Sequence, residues 1–146
     1  MSEIANDSRR LRLSEIEVGQ SERETVTITE EHLSRFIELS RDRALAHTDV
    51  EHARRMGFDR RVVHGFLVGL AYSRLLGMFL PGSNTVIHSV DMKMLAPVFV
   101  GDTLTYEAKV TRVLEPVRSV QLALSAVREG GEVVNKGSAI CVFRAD

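Results

Sequence analysis

The chain is 146 residues long, a length at which one domain buries about 68 to 70% of the surface its unfolded chain would expose. Hydrophobic residues make up 44% and charged residues 27%, a balance that excludes disorder over the whole chain. With 19 Lys and Arg against 20 Asp and Glu the net charge is −1, so no global field draws in nucleic acid or an anionic membrane, and neither partner is expected.

The single cysteine, Cys141, lies in an alternating apolar segment, which rules out a disulfide or a cysteine-rich metal site within the chain and predicts a buried, inert thiol. The first 13 residues lack the apolar stretch of a secretory signal. The longest apolar run, GFLVGLAYSRLLGMFL, is too short to span a bilayer and carries Arg74. A cytoplasmic location is expected.

Residues 1–13 are polar without periodicity and are expected to form a flexible arm, leaving 14–146 as one domain. ETVTIT, Glu24 to Thr29, is rich in β-branched residues and reads as a strand. In EEHLSRFIELS, Leu33, Phe36, Ile37 and Leu39 recur at helical spacing, with Thr29 as cap and Glu30 and Glu31 in the first turn. The pattern lapses through RDRALAH. A second start follows at Thr48, where TDVE has the form of a capping box, predicting a helix over roughly 49–56 ended by Gly57. Ser40 to Thr48 is then an irregular loop between helices.

HGFLVGLAYSRLLGMFL, His64 to Leu80, is apolar round nearly its whole circumference and predicts a long helix enclosed by other structure, stopped by Pro81-Gly82. NTVIHSVDMKML, DTLTYEAKVTRVLE, RSVQLALSAVRE and EVVNKGSAICVFRA each alternate apolar with polar residues between turn signals at Pro97, Gly101-Asp102, Glu115-Pro116 and Gly130-Gly131. The expectation is an α+β domain in which an antiparallel sheet of about five strands wraps one long central helix.

The loop SRDRALAHTD places Asp42 and His47 five residues apart where a helix ends. A lone loop aspartate commonly bonds local backbone, and a histidine there can be purely structural. Arg54, Arg55, Arg60 and Arg61 form a local basic cluster that is either a solvated face or an anion site. His32, His52 and His88 show no paired ligand spacing, so no metal is expected. Asp102 suits a turn former.

Four segments in this order, SRDRALAHTD, VVHG (Val62 to Gly65), FLPG (Phe79 to Gly82) and APVFVGD (Ala96 to Asp102), resemble the MaoC-like (R)-specific enoyl-CoA hydratases. Their loop reads Ser-Gly-Asp-x-Asn-Pro-x-His-x-Asp, so Arg41, Ala44 and Leu45 stand where the family has Gly, Asn and Pro. The resemblance implies a hot-dog fold and a homodimer. It also implies a cofactor-free hydratase or dehydratase acting on 2-enoyl or 3-hydroxyacyl thioesters of coenzyme A or acyl carrier protein.

By the same resemblance Asp42 and His47 hold and activate the water. Addition to an enoyl thioester also needs a donor for the enolate oxygen, a role that suits the Gly65 amide at the start of the central helix. His64 either touches ligand or bonds a neighbouring strand or loop. Arg60 and Arg61 are candidate phosphate contacts or plain surface charge. Some members place a serine in the first turns of this helix, where FLVGL here offers no hydroxyl. The competing readings are a non-catalytic acyl-thioester-binding module, and thioester hydrolysis or addition of another nucleophile in the same pocket.

Overall fold

The computed structural model describes residues 6–146. Five strands, β1 (Ser21–Thr27), β2 (Thr85–Met94), β3 (Thr103–Leu114), β4 (Ser119–Arg128) and β5 (Val133–Phe143), form one antiparallel sheet in the order β1-β3-β4-β5-β2. The four C-terminal strands fall where the alternation puts them. The first begins three residues earlier than ETVTIT, because Ser21, Glu22 and Arg23 also pair, with Lys109, Ala108 and Glu107 of β3.

Alternation works as a burial device on the inner strands. Leu104, Tyr106, Ala108 and Val110 of β3 and Val120, Leu122, Leu124 and Ala126 of β4 all face the core. Against them lies the central helix α4, Gly65–Arg74, with Leu67, Val68 and Tyr72 inward. Truncating one such fully buried leucine to alanine typically costs about 2–5 kcal/mol. The Tyr106 hydroxyl donates to the Val68 carbonyl at 2.7 Å, which fixes α4 against β3.

The long helix expected over His64 to Leu80 is regular only as far as Arg74. Leu75–Phe79 continues as one π-type turn, closed by Leu80 N–H donating to the Leu75 carbonyl at 2.9 Å. Pro81 explains the ending, since it disfavours helical geometry at Leu80 and supplies no amide of its own. Nor is the helix wrapped on every side: Phe66 is 74% and Leu70 53% exposed. One sheet covers one side of a helix and α1 (Glu30–Ser40) a second, leaving this flank open. The adjoining edge strand β2 is likewise exposed along most of its length.

Three smaller expectations are corrected. Ser40 to Thr48 is not wholly irregular: Leu45–Thr48 forms a single helical turn, α2. Thr48 does not cap the following helix α3 (Val50–Arg55). Asp49 does, its carboxylate accepting from His52 N–H at 2.7 Å, while the Thr48 hydroxyl donates back to the carbonyls of Arg43 and Ala44. Of the arm expected over 1–13, residues 1–5 lie outside the described residues, and Arg9 to Leu13 are tied down. Arg9 N–H donates to Met78 O at 2.7 Å and Arg9 O accepts from Ser83 N–H at 2.9 Å, because Leu11 and Leu13 bring apolar surface to the core.

Thr29 caps α1 as expected, and Gly57 follows α3 at a φ of 91°. Cys141 is fully buried, and burial pushes its thiol up to about 12. Among the described residues no helix is long and apolar enough to cross a membrane.

Candidate active site

Helix α1 ends at Arg41, which adopts a left-handed conformation with φ 60° and donates its N–H to the Ile37 carbonyl at 2.8 Å. Left-handed backbone is unstrained only for glycine, so the glycine expected here by resemblance has a conformational reason. The chain then turns through Asp42. One carboxylate oxygen, Oδ1, accepts from Ala44 N–H at 3.0 Å, leaving Oδ2 free of the local turn.

Ala44 is the N-cap of α2 and Leu45 its first residue; Ala44 has φ −54° and ψ 140° and makes no side-chain cap. The Asn-Pro of the resembling loop would therefore occupy a capping position and a first helical position, the places each residue type favours. This chain holds the turn by other bonds: Asp42 to Ala44, Thr48 to the carbonyls of Arg43 and Ala44, and Val62 N–H to the Ala46 carbonyl at 3.0 Å.

His47 sits on α2, and its Nδ1 lies 2.6 Å from the Val62 carbonyl oxygen. A carbonyl only accepts, so Nδ1 carries the proton and Nε2 is left with its lone pair. His64, the residue before α4, is only 2% exposed, and its ring stacks on His47 with centroids 3.7 Å apart. By the same argument its Nε2–H donates to the Asp42 main-chain carbonyl at 3.1 Å, while Nδ1 is buried without a partner. Burial lowers the His64 pKa below the ordinary histidine value. The Asp42 carbonyl opposes that shift and the neighbouring His47 adds to it.

The Asp42 carboxylate is about half exposed, with Oδ2 3.8 Å from His64 Nε2. The fold thus brings one donor atom each of Asp42, His47 and His64 to within 4.8 Å of one another. No spacing along the chain announced such a trio. Each imidazole commits one nitrogen to a backbone carbonyl, which suits holding a water or an orienting role.

A cavity of about 330 Å³ opens beside His47. It runs inward past Gly65 and Val68 to Asn135, with Phe58 and Met94 also on its walls. Gly65 is the first residue of α4, so its N–H has no partner within the helix and carries the positive end of the helix dipole. His47 and Gly65 thus line one apolar cavity; Asp42 and His64 are not on its walls and stand behind His47, one within 4.8 Å of it and the other stacked on its ring.

Arg60 and Arg61 are not on its walls. Arg60 donates to the Val100 carbonyl, lies over the Phe99 ring and faces Asp102 at 3.9 Å; Arg61 pairs with Glu30 at 2.5 Å. Asp102 is a turn former as expected, accepting from Phe99 N–H at 2.9 Å. Asn135 went unseen in the sequence because it is a polar residue at an inward position: it opposes buried Ala126 and is in phase with buried Ala139, Cys141 and Phe143, while the bulge beside it buries Val134 as well.

The sequence model of the MaoC like domain matches residues 13–129. The chain belongs to the MaoC-like family. Within it, the chain is 33% identical over 125 residues to an (R)-specific enoyl-CoA hydratase of Aeromonas caviae, covering 86% of this chain and 93% of that protein. Identity is also 33% over 131 residues to the (R)-specific enoyl-CoA hydratase of Rhodospirillum rubrum, covering 90% of each. The solved structure of an unliganded R-hydratase from Pseudomonas aeruginosa superposes with a TM-score of 0.84 at 30% identity, covering 97% of this chain and 88% of that one. The MaoC-like fold, a hot-dog, is therefore the fold of this protein.

Proposed function

We propose that the protein is a hydratase and dehydratase that interconverts 2-enoyl and (R)-3-hydroxyacyl thioesters, with coenzyme A as the handle. One observation carries the reading: a histidine with its Nε2 lone pair free and a helix-start amide without a partner in its helix line one apolar cavity, with a carboxylate beside the histidine.

The thioester oxygen accepts from Gly65 N–H, which stabilises the charge that develops as the double bond is attacked. Asp42 Oδ2 orients a water, and His47 Nε2 takes one of its protons as the oxygen bonds to C3. The same proton is then delivered to C2, so both added groups come from water and no cofactor is needed. The reverse sequence dehydrates the hydroxyacyl form. His64 holds the loop rather than the substrate.

The open flank of α4 and the exposed Ile87, Val90 and Met94, which share one face of β2, form one apolar strip. A second copy of the chain covering this strip gives the homodimer, which a sedimentation mass tests. A cytoplasmic location completes the reading, and cell fractionation tests it.

Incubation with crotonyl-CoA is expected to remove the conjugated enoyl absorbance and yield (R)-3-hydroxybutyryl-CoA on chiral analysis. Release of free thiol would favour hydrolysis instead. Binding without any absorbance change would favour the non-catalytic module.

A further inference from the structure

Gly65 and Gly69 lie four residues apart, on one face of α4. A Cβ at Gly65 would stand 2.8 Å from Met94 Cε and 3.2 Å from its Cγ, and one at Gly69 would stand 2.6 Å from Met92 Sδ. Two methionines of β2 therefore fill the track that the glycines leave open along the central helix. Met94 is shared with the cavity. At the inner end of that cavity Asn135 is completely buried, its Oδ1 accepting from the Tyr72 hydroxyl at 2.9 Å and its Nδ2 donating to Met94 Sδ at 3.0 Å.

We propose that Met94, tethered by Asn135, sets the length of acyl chain that the cavity takes. The inference rests on reading the cavity as an acyl-thioester site. Val62, Val63, Val68, Val98 and Val134 make much of the wall, and β-branched side chains are stiff. Methionine is unbranched and turns easily, so Met94 is the wall that can yield. Its tether is a thioether, a weak acceptor that is readily given up. A short acyl chain ends before Met94. A longer one displaces it, leaves the Asn135 amide without its acceptor, and takes the space beside Gly65 that Met94 fills.

Binding of the saturated thioesters butyryl-CoA and octanoyl-CoA, which cannot be hydrated, separates this from the catalytic reading. Calorimetry is run on the full chain as Met94→Ala and as the pair Tyr72→Phe with Asn135→Leu, which removes both hydrogen-bonding partners and keeps Met94. In each variant the affinity for octanoyl-CoA relative to butyryl-CoA is expected to rise about tenfold over the wild type, the scale set by no longer stranding a buried donor. A ratio unchanged in Met94→Ala overturns the proposal, as does a ratio that moves in Met94→Ala and not in the pair. Intact hydration of crotonyl-CoA with unchanged ratios sinks this inference alone. Length-graded binding without hydration sinks the activity alone and leaves Met94 as the selector. Wild-type protein that binds neither thioester sinks both.

Discussion

His64 donates from Nε2 to the main-chain carbonyl of Asp42 at 3.1 Å while its ring lies 3.7 Å from that of His47. One buried imidazole thus touches both members of the proposed reacting pair, one through backbone and the other through its face. His64→Phe keeps a ring to stack on His47 and removes the donor to Asp42. The expected result is a fall in kcat of about 100-fold, the scale of a displaced catalytic group, with KM for crotonyl-CoA changed little. Steady-state kinetics check this. A fall confined to KM would instead put His64 against the substrate.

The same residue makes stability depend on pH. Unfolded, His64 titrates at the ordinary value of about 6.5; folded, burial lowers it, and the bond to Asp42 only partly offsets the shift. Between the two values the unfolded chain binds more protons, so the contribution of His64 is complete above about 6.5 and is lost as pH falls through the folded value. Thermal melts from pH 7.5 down to 5, compared with His64→Gln, are expected to show a steeper acid-side loss of Tm in the wild type. Parallel curves would count against a neutral, buried His64.

The proton work itself is tested at His47 and Asp42. His47→Gln removes the free Nε2 lone pair, and Asp42→Asn removes the carboxylate proposed to orient the water. Each is expected to lower kcat with crotonyl-CoA by about 10²- to 10⁴-fold, the range for losing a positioned acid or base. Both side chains are partly exposed, so circular dichroism and Tm are expected to stay near the wild type. Full turnover in both variants would remove the dyad from the mechanism.

The strands were legible because each alternates over most of its length, and burial follows that alternation from Leu104 to Val110 in β3 and from Val120 to Ala126 in β4, while the central helix was legible as an apolar run whose regular part ends at Arg74. Motif order pointed to Asp42, His47 and Gly65 as candidates, and the fold sets Asp42 beside His47 and puts His47 and Gly65 on the wall of one cavity. What the sequence hid was produced by irregularity or by distance along the chain. Val134 is turned inward by a bulge beside the buried polar Asn135, and the His47 tautomer is set by a carbonyl 15 residues away. The unpartnered flank at Phe66 and Leu70 cannot be told from core by hydropathy, because an enclosed helix and one awaiting a second copy carry the same apolar residues.

The three departures in SRDRALAHTD concern backbone more than chemistry, and the structure allows them to be reversed. Arg41 holds a φ of 60°, which costs a side-chain-bearing residue about 1 kcal/mol over glycine. Arg41→Gly is accordingly expected to stabilise the fold by something under that amount, since glycine also loosens the unfolded chain. Ala44 already has the extended geometry required before proline, and Leu45 opens α2, where no intrahelical bond needs its N–H. Ala44→Asn with Leu45→Pro is therefore expected to add about 1 kcal/mol through the cap and the restrained turn. Denaturant unfolding measures both gains. If turnover with crotonyl-CoA also stays within a few fold of the wild type, the Asp42–His47 geometry is already set by the bonds of Asp42, Thr48 and Val62. A large rise in kcat would instead show that Ala44 and Leu45 leave the pair loosely held.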